Sequence, residues 1–335
     1  MNALGFGVIG VGEMGSCHAE NLRHCIPGGR LVAVADVNAD RAREVAARLS
    51  VVGCESTEAL LARRDIDAVV ISSPPKFHVS AIQAAAAAGK HIFCEKPLAL
   101  TIEEADTALE AVGRAATFLQ VGHMRRYDPA YAEAKKRITA GEIGRVVIFK
   151  SLGRDYESSP STASQTPING TLFHDSSSHD FDLARWLTDD EVIEVHAFSG
   201  ALAMPETRQF NAFDSGVINL RFAGGAIGNV ESFMHAQYGY DVRTEVVGTK
   251  GTLQIGYLQQ TPLVALTRSQ RSHDVLTHWL ARFAEAYRRE MSDFVSRVRE
   301  GRPPAVSGRD GRQSVAIAMA AIESQRDGRV VRVRQ

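Results

Sequence analysis

Gly10-Val11-Gly12-Glu13-Met14-Gly15 follows the apolar run Gly5–Ile9 and opens a helix. In that strand–turn–helix setting each glycine has its own task. Gly10 permits the tight turn, Gly12 lets the backbone approach a pyrophosphate, and Gly15 allows close helix–strand packing. Free amides at the helix N-terminus, from Glu13 and Met14 onward, then point at the negative charge. The next apolar run, Leu31–Ala35, ends at Asp36, 21 residues past Gly15, where an acid binds the adenosine ribose hydroxyls. The competing reading is a glycine-rich turn followed by a chance acid. Strand, glycines and acid in one register favour the dinucleotide.

Asp36 also bears on the choice of cofactor. A 2′-phosphate within ~4 Å of it costs on the order of 4 kcal/mol per unit charge at an effective dielectric near ~20. NAD is therefore the expected cofactor. NADP stands second, because Arg41 and Arg43 lie close enough in sequence to offset the repulsion.

Strand and helix alternate outward from this turn. Ala68–Ile71, Ile92–Cys94 and Phe118–Val121 read, like Gly5–Ile9 and Leu31–Ala35, as strands buried on both faces. Between them, Asn38–Leu49 repeats apolar residues every three to four positions, and Thr101-Ile102-Glu103-Glu104 is a capping box. This predicts an α/β fold whose first domain, residues 1–122, is a doubly wound parallel sheet. Ligands lie at the carboxyl ends of such strands. The turns Ser72-Ser73-Pro74-Pro75 and Glu95-Lys96-Pro97 are thus expected to flank the nicotinamide, with Ser73, Pro74 and Glu95 as cofactor contacts. His78 opens the next helix, either as a further cofactor contact or as a capping and packing residue.

After Gly122 the pattern changes. A helix begins near Asp128-Pro129 and ends at Gly141, and the strand Val146–Ser151 follows. Ser158–Gly170 has no period and reads as a surface loop. A helix over Asp175–Leu187 precedes strands at Ile193–Ala201, Gly216–Phe222, Ala226–Met234, Arg243–Val247 and Thr252–Ile255. Gly224-Gly225 and Thr249-Lys250-Gly251 mark hairpin turns. Helices at Trp279–Arg299 and Arg312–Arg326 and a strand Val330–Val333 complete an α+β second domain, 123–335. Its sheet is expected to be largely antiparallel and open, with helices on one face.

Composition excludes several function classes. A net charge of −1 gives no field that favours nucleic acid or an anionic membrane. The late arginines, Arg282, Arg288, Arg289, Arg297, Arg299 and Arg302, alternate with apolar residues and read as a solvated helix face. The longest small-apolar run, Ala81–Ala88, is too short to span a bilayer. Four cysteines without a CxxC pair disfavour a zinc site, read as buried reduced thiols, and place the protein in the cytosol. No signal peptide precedes the first strand.

The chemical end is His174-Asp175-Ser176-Ser177-Ser178-His179-Asp180-Phe181-Asp182. On one helix Asp175, His179 and Asp182 fall at i, i+4 and i+7, on one face, while Phe181, Ala184 and Leu187 form a core face. Oxidising a secondary alcohol needs a base that titrates near neutrality, and His179 meets that need. Asp175 can hold His179 and stabilise its protonated form. Lys96 can donate to the substrate oxygen as alkoxide develops, taking the place of a metal. Three alternatives stand: a solvated helix with an incidental histidine, a metal held by His174, Asp175, His179 and Asp180, and an ordinary exposed charge at Lys96.

Together these stretches resemble the glucose–fructose oxidoreductase/inositol dehydrogenase (Gfo/Idh/MocA) family. The resemblance rests on Gly10–Gly15, Glu95-Lys96-Pro97, Val121–Pro129 with Arg125-Arg126, and His179-Asp180-Phe181-Asp182-Leu183-Ala184-Arg185-Trp186. Tyr238-Gly239-Tyr240-Asp241-Val242-Arg243, Gly248–Gly251 and Gly301-Arg302-Pro303-Pro304 resemble its inositol 2-dehydrogenase branch. The resemblance implies a catalytic set of Lys96, Asp175 and His179. It also implies polyol contacts from Arg126, Asp182 and Tyr238, with Arg154 and Asp155 beside them, and a tetramer or dimer formed through the open sheet. The chain departs from the branch at Ser176-Ser177-Ser178, where apolar residues are usual. The implied reaction is NAD-dependent, metal-free oxidation of a cyclic polyol, myo-inositol first. The alternatives are a sugar or glycoside dehydrogenase or oxo-sugar reductase, an NAD-dependent glycosidase, and a dinucleotide-sensing regulator without turnover.

Overall fold

The computed structural model describes residues 3–156, 163–256 and 259–335. Among them, six strands form one parallel sheet: β1 (Leu4–Ile9), β2 (Gly29–Ala35), β3 (Val52–Cys54), β4 (Ala68–Ile71), β5 (His91–Glu95) and β6 (Leu119–Gly122). Helices α1 (Glu13–His24), α2 (Ala39–Leu49), α3 (Thr57–Leu61), α4 (His78–Ala87) and α5 (Ile102–Ala115) lie between them in sequence. The spatial order is β3-β2-β1-β4-β5-β6, so the winding reverses between β1 and β4. That crevice is where the carboxyl ends of such a sheet take a ligand. The inner strands are buried on both faces, as their apolar runs require. The capping box is present: Glu104 N–H donates to Thr101 Oγ1 at 3.2 Å and Thr101 N–H to Glu104 Oε2 at 3.1 Å. The sequence reading gives five of these strands. The sixth, β3, is a three-residue edge strand with Val52 and Gly53 exposed, so it carries no apolar run to betray it.

The second sheet joins β7 (Val146–Arg154), β8 (Val192–Gly200), β9 (Ser215–Phe222), β10 (Ile227–Phe233), β11 (Asp241–Gly248) and β12 (Thr252–Ile255). A small separate hairpin, β13 (Ala265–Leu266) and β14 (Arg271–Ser272), follows, and β15 (Val331–Arg332) closes the sheet. The order is β12-β11-β7-β10-β9-β8-β15, antiparallel except for the β7–β10 pair. In β9, Gly216, Ile218, Leu220 and Phe222 are buried while Val217, Asn219 and Arg221 are exposed. One face is therefore covered and the other open, as expected. The helices are α6 (Pro129–Thr139), α7 (Thr166–Asn169), α8 (Leu172–Asp175), α9 (Ser178–Thr188), α10 (Trp279–Glu300) and α11 (Gly308–Asp327).

The compact units differ from a single cut at 122. Residues 1–124 form the first unit with 285–315, and 125–284 form the second with 316–335. The returning segment completes the first core: Phe6 and Phe93 meet Phe294 edge-on at 6.2 and 5.9 Å, and Met291, Val295 and Val298 join them. α10 is broken at Phe283 (φ −114°, ψ 15°), next to where one unit hands over to the other.

Three expectations need correction. Arg282 is not on a solvated face; it is buried, with Nη1 2.7 Å from Asp128 Oδ2 and its guanidinium 4.4 Å from the Phe283 ring centre. The loop read over Ser158–Gly170 contains one helical turn, α7, started by Pro167; residues 158–162 of it lie outside the described residues. Of the four cysteines only Cys94 is fully buried, and Cys25 is exposed. All four are free thiols.

Candidate active site

The dinucleotide end is built on backbone geometry. Gly10 has φ +84°, and a Cβ there would lie 2.7 Å from the Ser73 amide nitrogen. A Cβ on Gly15 would collide with the Gly10 carbonyl oxygen, so α1 can rest on the turn only with glycine there. Above Gly12, by contrast, a Cβ would meet only Arg41 Nη1, at 4.0 Å. That open space over the first turn of α1, with the amides of Glu13 and Met14 beside it, fits a diphosphate. Asp36 is tied to the same turn: Oδ2 accepts from Val11 N–H and Oδ1 from Asn38 N–H, both at 2.8 Å, with Arg41 Nη1 3.5 Å away. Asp36, at the end of β2, thus holds the glycine turn in place.

Ser73 and Pro74 follow β4, and Lys96 follows β5, at the carboxyl edge of the sheet. His78 settles on the packing reading. It is fully buried, with Nδ1 2.8 Å from the Pro97 carbonyl oxygen and Nε2 2.7 Å from that of Ser73. Both partners are acceptors, so only the charged ring satisfies both, and burial pushes its pKa down. His78 therefore stitches the two cofactor-edge turns together. Glu95 stands at the end of β5, in the second of those turns. Its carboxylate turns inward to His18 Nε2 at 2.7 Å and accepts the Lys96 N–H at 3.2 Å, so it supports the turn from behind.

In the second unit the expected single helix is two. α8 stops at Asp175 and α9 starts at Ser178. Ser177 N–H reaches five residues back to the Leu172 carbonyl at 3.1 Å, and Asp180 N–H only three back to Ser177 at 3.0 Å. The serines cause the break. Ser178 Oγ donates to the Asp175 carbonyl at 3.1 Å, competing with the backbone ladder, and Ser177 Oγ lies 2.8 Å from Ser232 Oγ of β10. The strict i, i+4, i+7 argument does not cross this joint. His179 and Asp182 are nonetheless on one short helix, both buried, which removes the solvated-helix alternative. Asp175 lines a small cavity of about 60 Å³ with Thr166, Asn169, Thr171 and Met204.

Arg126 and Asp182 are brought together as a buried bidentate pair, Nε–Oδ2 at 2.8 Å and Nη2–Oδ1 at 2.5 Å, with Arg126 5.7 Å from the Trp186 ring centre. Tyr238 is half-exposed, its hydroxyl donating to Asp241 Oδ2 at 2.8 Å and accepting from Arg154 Nη1 at 2.9 Å. Asp155 continues β7 through its backbone, N–H to the Phe233 carbonyl at 2.8 Å, and its charge reaches Arg125 and Tyr240.

Sequence reasoning passes over Arg125. Its Nη1 lies 2.6 Å from Asp180 Oδ1, which also accepts Ser151 Oγ–H at 2.6 Å; Ser151 leads on to Thr244 and Tyr131 at 2.8 Å each. Burial pushes the Tyr131 hydroxyl up to about 12. The clue was the spacing: consecutive arginines at 125 and 126 meet alternate aspartates at 180 and 182. This pairing takes Asp180 out of the metal reading.

Residues 4–123 match the Gfo/Idh/MocA oxidoreductase family's NAD-binding Rossmann fold, and 135–333 match its C-terminal alpha/beta domain. The chain belongs to the Gfo/Idh/MocA oxidoreductase family. It is similar to the scyllo-inositol 2-dehydrogenase (NAD(+)) of Bacillus subtilis, 38% identical over 97% of this chain and 95% of that one. It is likewise similar to the myo-inositol 2-dehydrogenase of Thermotoga maritima, 35% identical over 98% of both. Among solved structures, scyllo-inositol dehydrogenase from Lactobacillus casei with bound NAD(H) and scyllo-inositol superposes with a TM-score of 0.94, at 28% identity over 99% of both chains.

As a member of this family the chain is an NAD-dependent oxidoreductase. The placement of Asp36 gives the cofactor preference a physical basis. NAD is expected to exceed NADP by at least about tenfold in kcat/KM, since ~1.4 kcal/mol of charge repulsion suffices. Asp36→Ala should narrow the ratio, measured by initial rates with each cofactor. Equal use of NADP by the wild type would overturn the role given to Asp36.

Proposed function

We propose that this chain oxidises one secondary hydroxyl of an inositol, myo or scyllo, to the ketone. The C–H hydrogen leaves as hydride, the O–H proton goes to a base, and NAD, held over Gly12, supplies the hydride acceptor. His179 takes the hydroxyl proton, Asp175 stabilises the imidazolium, and Lys96 donates to the oxygen as its charge grows. Arg126, Asp182, Tyr238 and Asp155 are proposed to contact the polyol. The observation that carries this reading is full-length identity of 35–38% to two inositol 2-dehydrogenases.

A sugar or glycoside dehydrogenase is the second reading, motivated by Ser176-Ser177-Ser178. All three serines are buried, and Ser177 and Ser178 bond within the fold, which supports a packing role for them and favours inositol. The test is NADH production from a panel of inositols, hexoses and glycosides in a chelating buffer. Turnover of myo- or scyllo-inositol should exceed that of hexoses by at least about tenfold. A hexose as the best substrate, or activity restored only by zinc, overturns the proposal.

The open sheet face supports a second proposal, a homo-oligomer, dimer or tetramer, in the cytosol. Phe198 and Val217, 60% and 41% exposed, are directly paired on β8 and β9, and Ile227, 55% exposed on β10, stands on the same open face opposite Arg221. Among the described residues no helix is long and apolar enough to cross a membrane. Light scattering that gives a monomer at assay concentration would sink the oligomer.

A further inference from the structure

His18, Glu95 and Glu290 come together inside the first unit, behind the Glu95-Lys96-Pro97 turn. One ligand-type atom from each lies within 4.8 Å of the others, and all three residues are buried. Three elements meet there. His18 is in α1, whose first turn faces the diphosphate. Glu95 ends β5 and accepts the amide of Lys96, and Glu290 is in the returning half of α10. Phe93 and Tyr287 pack edge-on to the His18 ring at 5.2 and 6.0 Å, and a Cβ on Gly122 would press on the Glu95 carboxylate at 3.1 Å.

A metal ion is the obvious occupant, and the geometry argues against it. Two ligands of a tetrahedral zinc bound at ~2.0–2.1 Å are separated by roughly 3.3 Å. His18 Nε2 and Glu95 Oε1 are 2.7 Å apart, a distance that needs a hydrogen between them. The pair is closed by a proton, and Glu290 remains beside it.

Glu290 is fully buried, and among the described residues neither of its carboxylate oxygens has a hydrogen-bond partner. A bare buried carboxylate next to a second one is costly, and two such groups do not both ionise. We propose that His18, Glu95 and Glu290 form a buried joint that positions Lys96 relative to the dinucleotide, with Glu290 as its neutral member. The proposal rests on the role given above to Lys96. Burial, and then the charge of Glu95, push the Glu290 pKa well above its ordinary value. Burial works to raise Glu95 too, but the hydrogen bond and charge of His18, with Lys96, hold it below the usual range. The other titratable groups that act on the joint among the described residues are Cys17 and Glu20 on α1, His78 on α4, Cys94 on β5, Lys96 after it, and Tyr287 and Arg288 on α10.

The charge state has a measurable sign. Above the ordinary glutamate pKa of ~4.3 the unfolded chain loses the Glu290 proton while the folded chain keeps it, so stability falls as pH rises until Glu290 itself ionises. Glu290→Gln removes that slope. Between about pH 5 and 7 the variant should gain Tm over the wild type by on the order of 3 °C per pH unit. The positioning role is read separately. His18→Leu should lower kcat by about tenfold or more with the NAD Kd within about threefold of wild type, and His18→Gln, which restores a donor to Glu95, should recover most of it. An unchanged pH slope in Glu290→Gln, or one equivalent of metal retained by dialysed wild type and lost in that variant, overturns the neutral acid. Equal loss in both His18 variants overturns the positioning. If Lys96→Ala is itself fully active, the role of Lys96 fails while the stability slope still tests the joint.

Discussion

His179→Ala is expected to lower kcat by about 10²–10⁴-fold, the usual contribution of a positioned general base, with NAD affinity almost unchanged. His179 is carried by α9, whereas the contacts proposed for the diphosphate are backbone amides of the Gly10–Gly15 turn, so the substitution removes none of those. Lys96→Ala should cost about 10²–10³-fold, as expected for one donor to a developing oxyanion. The proposed mechanism has both side chains act on one substrate oxygen, and it therefore requires the double variant to lose less than the product of the single losses. The acid limb of the wild-type rate profile should vanish in His179→Ala. Near-wild-type turnover with an unchanged profile would put the base elsewhere. Cofactor binding by fluorescence, measured beside the kinetics, separates lost chemistry from lost fold.

The nucleotide half was legible because its signals are local. A glycine turn, an acid at a fixed offset and apolar strand runs each follow from backbone sterics and burial over a few residues. β3 escaped because an edge strand of three residues needs no apolar pattern. In the second unit the residue types of the candidate site stand in the sequence, but their geometry does not. His179 and Asp182 share α9 as expected, yet the break at Ser176–Ser178 depends on Ser232, a partner on β10 that helix periodicity cannot announce. The directions of the Glu95 and His78 side chains are hidden from the sequence for a related reason. Both stand in the right turns, but the direction of a side chain is set by what lies behind it. For Glu95 that is His18, 77 residues away in sequence. The return of α10 to the first core is likewise invisible to a left-to-right reading, because the apolar stripe of Met291, Phe294, Val295 and Val298 would serve either unit.

Arg125→Met should be the most damaging substitution for stability. Arg125 and Asp180 are buried together, and Asp180 takes its remaining support from Ser151. Exchanging both charged partners for apolar ones can be nearly neutral, but removing one leaves a buried charge uncompensated, at about 3–5 kcal/mol. For a chain of this size that lowers Tm by on the order of 10 °C. The pH dependence gives the loss a signature. Burial already raises the Asp180 pKa, and Arg125 is the main influence that opposes it. Without Arg125 the folded-state pKa rises further above the unfolded value. The native state then holds a proton that the unfolded chain releases, and stability falls as pH rises through that window. The deficit of Arg125→Met should therefore be small near pH ~4 and grow toward neutrality, by thermal melts across that range. Adding Asp180→Asn, which keeps the shape without the charge, should recover much of the deficit at neutral pH. A deficit independent of pH, or no recovery in the double variant, would mean that Arg125 acts through packing against Phe283, 5.7 Å from its guanidinium, and that the ion pair contributes little.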